Sequence, residues 1–187
     1  MARAILRTII CLLIAGIAGA QSPPITILTS TDLGFKEASS TYTLSMPALK
    51  FESVFGPPEI KKKNSGDFGY VGNSIGWDYI NDGISLLINH DGTIRCISFK
   101  LLGSKTVKAC RAKTDRGIGR GSALRTVLKT YGDPYRHHAF KQGGLDDLDL
   151  YYKFGDNYLS FTFDHGILTD ISLRADFQHF MDLLSTP

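Results

Sequence analysis

The chain repeats itself. Residues 42–59 (YTLSMPALKFESVFGPPE) and 118–135 (IGRGSALRTVLKTYGDPY) align at a constant offset of 76. Ala48 meets Leu124, Phe51 meets Val127, Phe55 meets Tyr131, Gly56 meets Gly132 and Pro58 meets Pro134. A fixed period of this kind signals a supersecondary unit used more than once. In the second copy Leu124, Val127, Leu128 and Tyr131 recur at i, i+3, i+4 and i+7, one apolar stripe of a helix. Ser122 is placed as its N-cap, Gly132 as its C-terminal glycine, and Pro134 prevents continuation. In the first copy Pro47 restricts the helix start.

A three-strand meander follows each helix. The first is expected at residues 76–80, 84–89 and 93–100, the second at 150–154, 158–164 and 168–173. At an offset of 75, Trp77 meets Tyr152, Tyr79 meets Phe154, Ile84 meets Leu159, Leu86 meets Phe161 and Ile88 meets Phe163. Leu159, Phe161 and Phe163 alternate with polar residues, the period of a half-buried strand. Turn residues rich in Asn, Asp and Gly separate the strands.

These elements predict an α+β fold: two tandem units, each a short helix on an antiparallel β-meander, plus a C-terminal helix. Residues 1–20 are a signal peptide, 21–112 the first unit with an extra hairpin strand, and 113–187 the second unit with the closing helix. That helix starts at Asp176, with Phe177, Phe180, Met181 and Leu184 as its stripe. Residues 25–28 are read as an edge strand and 58–72 as a solvated loop.

The export reading rests on Arg3 and Arg7, the apolar run 9–17, and Ala18-Gly19-Ala20 before Gln21. Nine apolar residues are too few to span a bilayer. Cys11 lies inside the run, where no lipid-attachment signal places it. Without the leader, 21 Lys+Arg and 18 Asp+Glu become 19 − 18 = +1. So small a charge gives no nucleic-acid footprint. A periplasmic or secreted protein with no membrane span after leader removal is expected.

The remaining cysteines, Cys96 and Cys110, are expected as a disulfide. Strands at 93–100 and 105–111, joined at Gly103, would set Cys96 opposite Cys110 on one face. Two free thiols are the alternative, since sulfur geometry is not legible in sequence.

Residues 122–134 (SALRTVLKTYGDP), 159–164 (LSFTFD) and 168–173 (LTDISL) resemble the β-lactamase inhibitor protein family and the small outer-membrane assembly lipoproteins that share its fold. Trp77-Asp78-Tyr79, Gly83 to Leu86 and Gly92 to Arg95 resemble immunity-type proteins associated with secreted toxins. The resemblance implies a fold and a protein partner: a toxin, an enzyme or an envelope complex.

Chemical signatures are few. There is no HExxH, no zinc spacing, no phosphate-loop lysine and no G-x-S-x-G elbow. Gly117 to Ser122 reads as a flexible helix entry. Asp146, Asp147 and Asp149 read as a solvated loop rather than a calcium site. His90 and His165 fall in equivalent turns, and adjacent His137 and His138 cannot both face one ion on a strand. Asp164, His165 and the acidic patch are the only enzyme candidates. No cofactor and no metal are expected. The reading is an exported non-enzymatic binding module, an inhibitor or immunity protein. Its alternatives are an envelope-assembly accessory and an enzyme with an Asp/His site. Tyr70, Trp77, Tyr79, Tyr135, Tyr151 and Tyr158 are the partner-binding candidates, because Trp and Tyr anchor interfaces.

Overall fold

The computed structural model describes residues 24–29, 33–64, 74–142 and 145–175. The expected signal peptide, the closing helix from Asp176 and Tyr70 lie outside the described residues.

Two helices and two sheets form among the described residues. The larger sheet has eight strands, in the order β4 (Ile60–Asn64), β5 (Ser74–Tyr79), β6 (Ile84–Ile88), β7 (Ile94–Lys100), β12 (Ile167–Arg174), β11 (Asn157–Asp164), β10 (Leu145–Phe154) and β9 (Arg136–Gln142). Every neighbouring pair is antiparallel. Side chains alternate between faces, so Tyr79, Ile84, Leu86, Ile97, Phe99, Ile171, Leu173, Leu159 and Phe161 share one inner face and are buried in one core.

Helices α1 (Ala48–Phe55) and α2 (Leu124–Tyr131) bring their apolar stripes to that core. In α1, Phe51 and Phe55 stack at 4.1 Å and both meet Tyr79. In α2, Val127 is fully buried and the Tyr131 ring lies 5.1 Å from Phe161. Gly56 and Gly132 end the helices at positive φ, where a Cβ is unfavourable. Ser122 does not cap α2. The N-cap is Ala123, and the Ser122 hydroxyl instead accepts the Gly119 N–H at 3.1 Å.

A second, four-stranded sheet has the order β3 (Ser40–Thr43), β2 (Gly34–Glu37), β1 (Thr26–Leu28) and β8 (Lys113–Thr114). β1 is therefore not an edge. It pairs antiparallel with β2 and parallel with β8. Phe35 stacks on Tyr42 at 4.7 Å and meets Phe99 edge-on at 5.3 Å, joining the small sheet to the large one.

Three further expectations are corrected. Residues 60–64, read as loop, form β4, because Ile60 to Asn64 pair along the open side of β5. The acidic patch lies on β10, not in a loop. Residues 105–111 form no strand and no hairpin with β7.

That last difference decides the cysteines, which are both free and buried. The Cys110 N–H donates to the Lys100 carbonyl at 2.6 Å, so Cys110 sits at the end of β7. Cys96 lies four residues back, about 13 Å along a strand. Cys110 belongs to the inner core, whereas Cys96 shares its face with Ser98 and Lys100. No disulfide spans such a separation.

Candidate functional site

The outer face of the large sheet is polar and unusually regular. Four adjacent strands place a serine in the same rung: Ser85 pairs with Ser98, Ser98 with Ser172, and Ser172 with Ser160. Each follows an apolar residue and precedes another: Ile84 and Leu86, Ile97 and Phe99, Ile171 and Leu173, Leu159 and Phe161. The apolar neighbours enter the core, and the serines are left on the other side. The hydroxyls of Ser98 and Ser172 lie 2.9 Å apart. A hydroxyl partner cannot take a proton at neutral pH, so this pair is no activated nucleophile.

Charged side chains flank the serines. Lys100 pairs with Asp170 across strands at 2.5 Å, and Lys62 reaches Asp78 at 3.3 Å. Arg174 lies between Cys96 and Tyr158 in register. Burial lowers its pKa to about 10, which still leaves it charged at neutral pH. Burial pushes the Cys96 thiol up to about 11, against the pull of Ser98, Lys100 and Arg95, so it is no ready thiolate. Asp149 is held above the ordinary carboxylate range by burial and by Asp170. Hydrogen bonds from Thr162 and Tyr151 and the nearby His138 pull the other way.

Two adjoining cavities open at the β4–β7 end. One of about 290 Å³ is lined by Lys62, Ser85, Leu87, Cys96, Ser98 and Arg174, among others. The other, about 640 Å³, lies under the loop after β7 and is lined by Ile60, Ile80, Ile84, Leu102 and Val107. Lys62, Asp78, Ser85 and Lys100 border both. These residues escaped the sequence reading, which followed aromatics. The recurring apolar-Ser-apolar triplet was the legible signal.

The five aromatic candidates among the described residues separate sharply. Trp77 is 8 % exposed, on the inner face, with the Lys61 ammonium 4.1 Å from its ring centre. Tyr79 is 1 % exposed within the core. Tyr151 and Tyr158 lie on the outer face but are 4 % and 1 % exposed, their rings meeting edge-on at 5.9 Å. Tyr135 is 61 % exposed, immediately before the edge strand β9, with Lys153 6.0 Å from its ring. His138 stacks on Phe140 along the same strand. The structure thus brings Tyr151 and Tyr158 together on the outer face, puts Trp77 and Tyr79 in the core and leaves Tyr135 on the surface.

The Asp164 carboxylate contacts His165 Nδ1 at 2.5 Å in an exposed turn, where His165 takes φ 50°. Among the described residues no group of three or more His, Cys, Asp or Glu side chains is placed to hold a metal ion. Among them, no helix is long and apolar enough to cross a membrane.

No family model and no curated protein matches the chain. Two solved structures are similar to it. One is a DUF4309-family protein, YjgB, from Bacillus subtilis, 19 % identical, with 69 % of this chain and 78 % of that chain covered and a TM-score of 0.43. The other is a candidate β-lactamase inhibitor protein from Streptococcus mutans, 14 % identical, with 80 % and 90 % covered and a TM-score of 0.27. At these scores neither likeness bears on function.

Proposed function

We propose that this chain is an exported protein-binding module without catalytic activity of its own, acting as an inhibitor or immunity protein against a toxin in the periplasm. The observation that carries the reading is the β9 edge. Tyr135 exposes its ring at the start of a strand that is terminal in the large sheet, its far side pairing with no other strand among the described residues. Arg136, His138 and Phe140 follow on the outer-face side of that strand, in register with Tyr151, Asp149 and Asp147. Tyr and Arg are the residue types that dominate binding energy at interfaces. An open strand edge can also accept a partner's strand by main-chain hydrogen bonding.

We read residues 21–112 and 113–187 as two units of one repeat. Both helices have eight residues and start 76 positions apart (124 − 48). Each opens on the same contact: the Ala48 N–H donates to the Gly92 carbonyl, and the Leu124 N–H to the Gly166 carbonyl.

The test is capture of a partner by the tagged protein from periplasmic extracts, repeated with Tyr135→Ala and Arg136→Ala. One stoichiometric partner, weakened at least tenfold by either substitution, is the expected result. A partner indifferent to both would move the interface elsewhere, and an envelope complex in place of a toxin would favour the assembly role. Empty captures from producing and competing strains would defeat the reading.

A further inference from the structure

The charge of this chain is segregated. Residues 101–132 hold eight Lys and Arg and a single acid, Asp115, a balance of 8 − 1 = +7. The chain after residue 20 totals +1, so its remainder carries 1 − 7 = −6. A small net charge thus conceals a strongly basic segment.

The fold gathers much of that charge along β8 and α2. Thr114 and Ile118 close a tight turn, with Lys113 bridged to Gly119 and Arg116 within it. The Arg116 guanidinium lies 4.9 Å from the ring centre of Tyr131, the last residue of α2. The other end of the turn meets the start of α2, where the Gly119 N–H donates to the Ser122 hydroxyl. Residues 114–122 therefore run beside a helix of about 12 Å. Arg120 is exposed in that loop, and Arg125 and Lys129 are exposed one turn apart on α2. Lys36 extends the band across the small sheet, since Lys36 and Lys113 both pair with Thr26 and share a face.

None of these six cations is ion-paired among the described residues. Two carboxylates flank them: Asp115, which accepts from Thr29, and Asp133 just past α2. Asp164, in contact with His165, precedes the Gly166 carbonyl that accepts the Leu124 N–H. Glu37 follows Lys36 but takes the other face of β2, towards Asp82. Counting all three aspartates leaves 6 − 3 = +3. The repeat does not need these cations to fold. Arg120, Arg125 and Lys129 stand where the first copy has Leu44, Leu49 and Ser53.

We propose that this band docks on the surface of an anionic lipid bilayer as a peripheral contact. Lys and Arg close to such a surface each add attraction, and the contact needs no shape match. Interfaces with folded proteins are anchored by exposed aromatics and are poor in Lys. The only ring in residues 101–132 is Tyr131, half-buried against Arg116, so neither a protein anchor nor a base-stacking platform is present there. Ile167, 45 % exposed, lies opposite Ala123 at the start of α2 and offers an apolar side chain to the interface. The band is separate from the β9 edge, and neither reading depends on the other.

The experiment is cosedimentation with vesicles of phosphatidylcholine alone and of equimolar phosphatidylcholine and phosphatidylglycerol. All variants are made in the full chain, so residues 1–20 contribute equally to every arm. The mixed vesicles should bind at least tenfold more tightly at low salt, and high salt should remove the advantage. Arg120→Gln with Arg125→Gln should weaken binding to them by roughly thirtyfold, about fivefold per cation. Arg116→Gln with Lys129→Gln is an independent second pair, and thermal melts identify any variant that has failed to fold. Lys50→Gln with Lys63→Gln removes the same charge from exposed positions on α1 and β4 and should change binding by less than about twofold. Equal binding to both vesicles, no loss in either band pair, or an equal loss in the Lys50 and Lys63 control would overturn the proposal. Tighter binding to a DNA duplex or to polyglutamate at the same salt would also overturn it, assigning the band to nucleic acid or to an acidic protein.

Discussion

Gly83 leaves empty the space that Lys108 fills. A Cβ on residue 83 would stand 2.4 Å from the Lys108 carbonyl oxygen and 2.7 Å from the Cys110 nitrogen. The same residue has φ 66°, which L side chains rarely adopt. Gly83→Ala therefore combines a backbone cost of about 1 kcal/mol with a clash that only movement of the 101–110 loop relieves. A loss of about 2–4 kcal/mol in urea unfolding is expected, with faster amide exchange at Lys108 and Cys110.

Asp115 ties the ends of the neighbouring strands β1 and β8 together. Its carboxylate accepts the Thr29 N–H at 3.0 Å and the Thr29 hydroxyl at 2.6 Å, across 86 residues of sequence. Hydrogen bonds to a charged acceptor contribute about 1.5–3 kcal/mol. Asp115→Ala should cost about 2 kcal/mol by chemical denaturation, and Asp115→Asn less, since an amide oxygen still accepts one bond. An Ala variant as stable as the parent would show that β1 is held by its strand pairing alone.

The thiol prediction separates the two cysteine geometries. Burial pushes both Cys96 and Cys110 up to about 11. Native protein at pH 8 should react with iodoacetamide at least about a hundredfold more slowly than a free thiol, and both cysteines should label after denaturation. Reductant should leave the unfolding midpoint unchanged. A midpoint that drops with reductant would restore the disulfide.

Asp149 supplies a pH dependence with a definite sign. Its folded pKa lies above the ordinary Asp value because burial and Asp170 disfavour its charge. The protein thus gains stability from this group as pH falls through the folded value toward the unfolded one, about 3.9, and lacks that gain at neutral pH. Asp149→Asn, which can still accept the Tyr151 hydroxyl, should raise the melting temperature at pH 7. The advantage should shrink to nothing as the pH falls below about 4. A variant less stable than the parent at pH 7 would mean that His138 and the two hydroxyl groups outweigh burial.

Much of the fold is legible in the chain because its signals are local. The stripes of α1 and α2 and the alternation of Leu159, Phe161 and Phe163 need only neighbours within a few residues. What escaped depends on partners far away. Ile60 to Asn64 carry three lysines and read as loop, yet β5 offers them an open edge to pair with. Tyr42, read as the start of a helical unit, is in β3 because Phe35 stacks on it from β2. The burial of Trp77, Tyr79, Tyr151 and Tyr158 is not legible for a related reason: alternation tells which residues share a face but not whether that face is covered. Trp77 and Tyr79 went to the core, and Tyr158 is buried on the opposite side. The serine rung was present in four strands, but its meaning appears only once β7 and β12 are known to be neighbours.

The pairing of β1 with β8 fixes a clock for assembly. Ile27 cannot find Thr114 until more than half the chain exists, and Cys96 cannot find Arg174 until nearly all of it does. Closing such wide loops precedes any contact that rewards it, so these two pairings form late, after local hairpins such as β2–β3 and β5–β6–β7 are available. Under the export proposed above, a polypeptide that threads a translocation pore unfolded would benefit from that delay. The topology postpones the seam between the two halves of the sheet until β12 has been made.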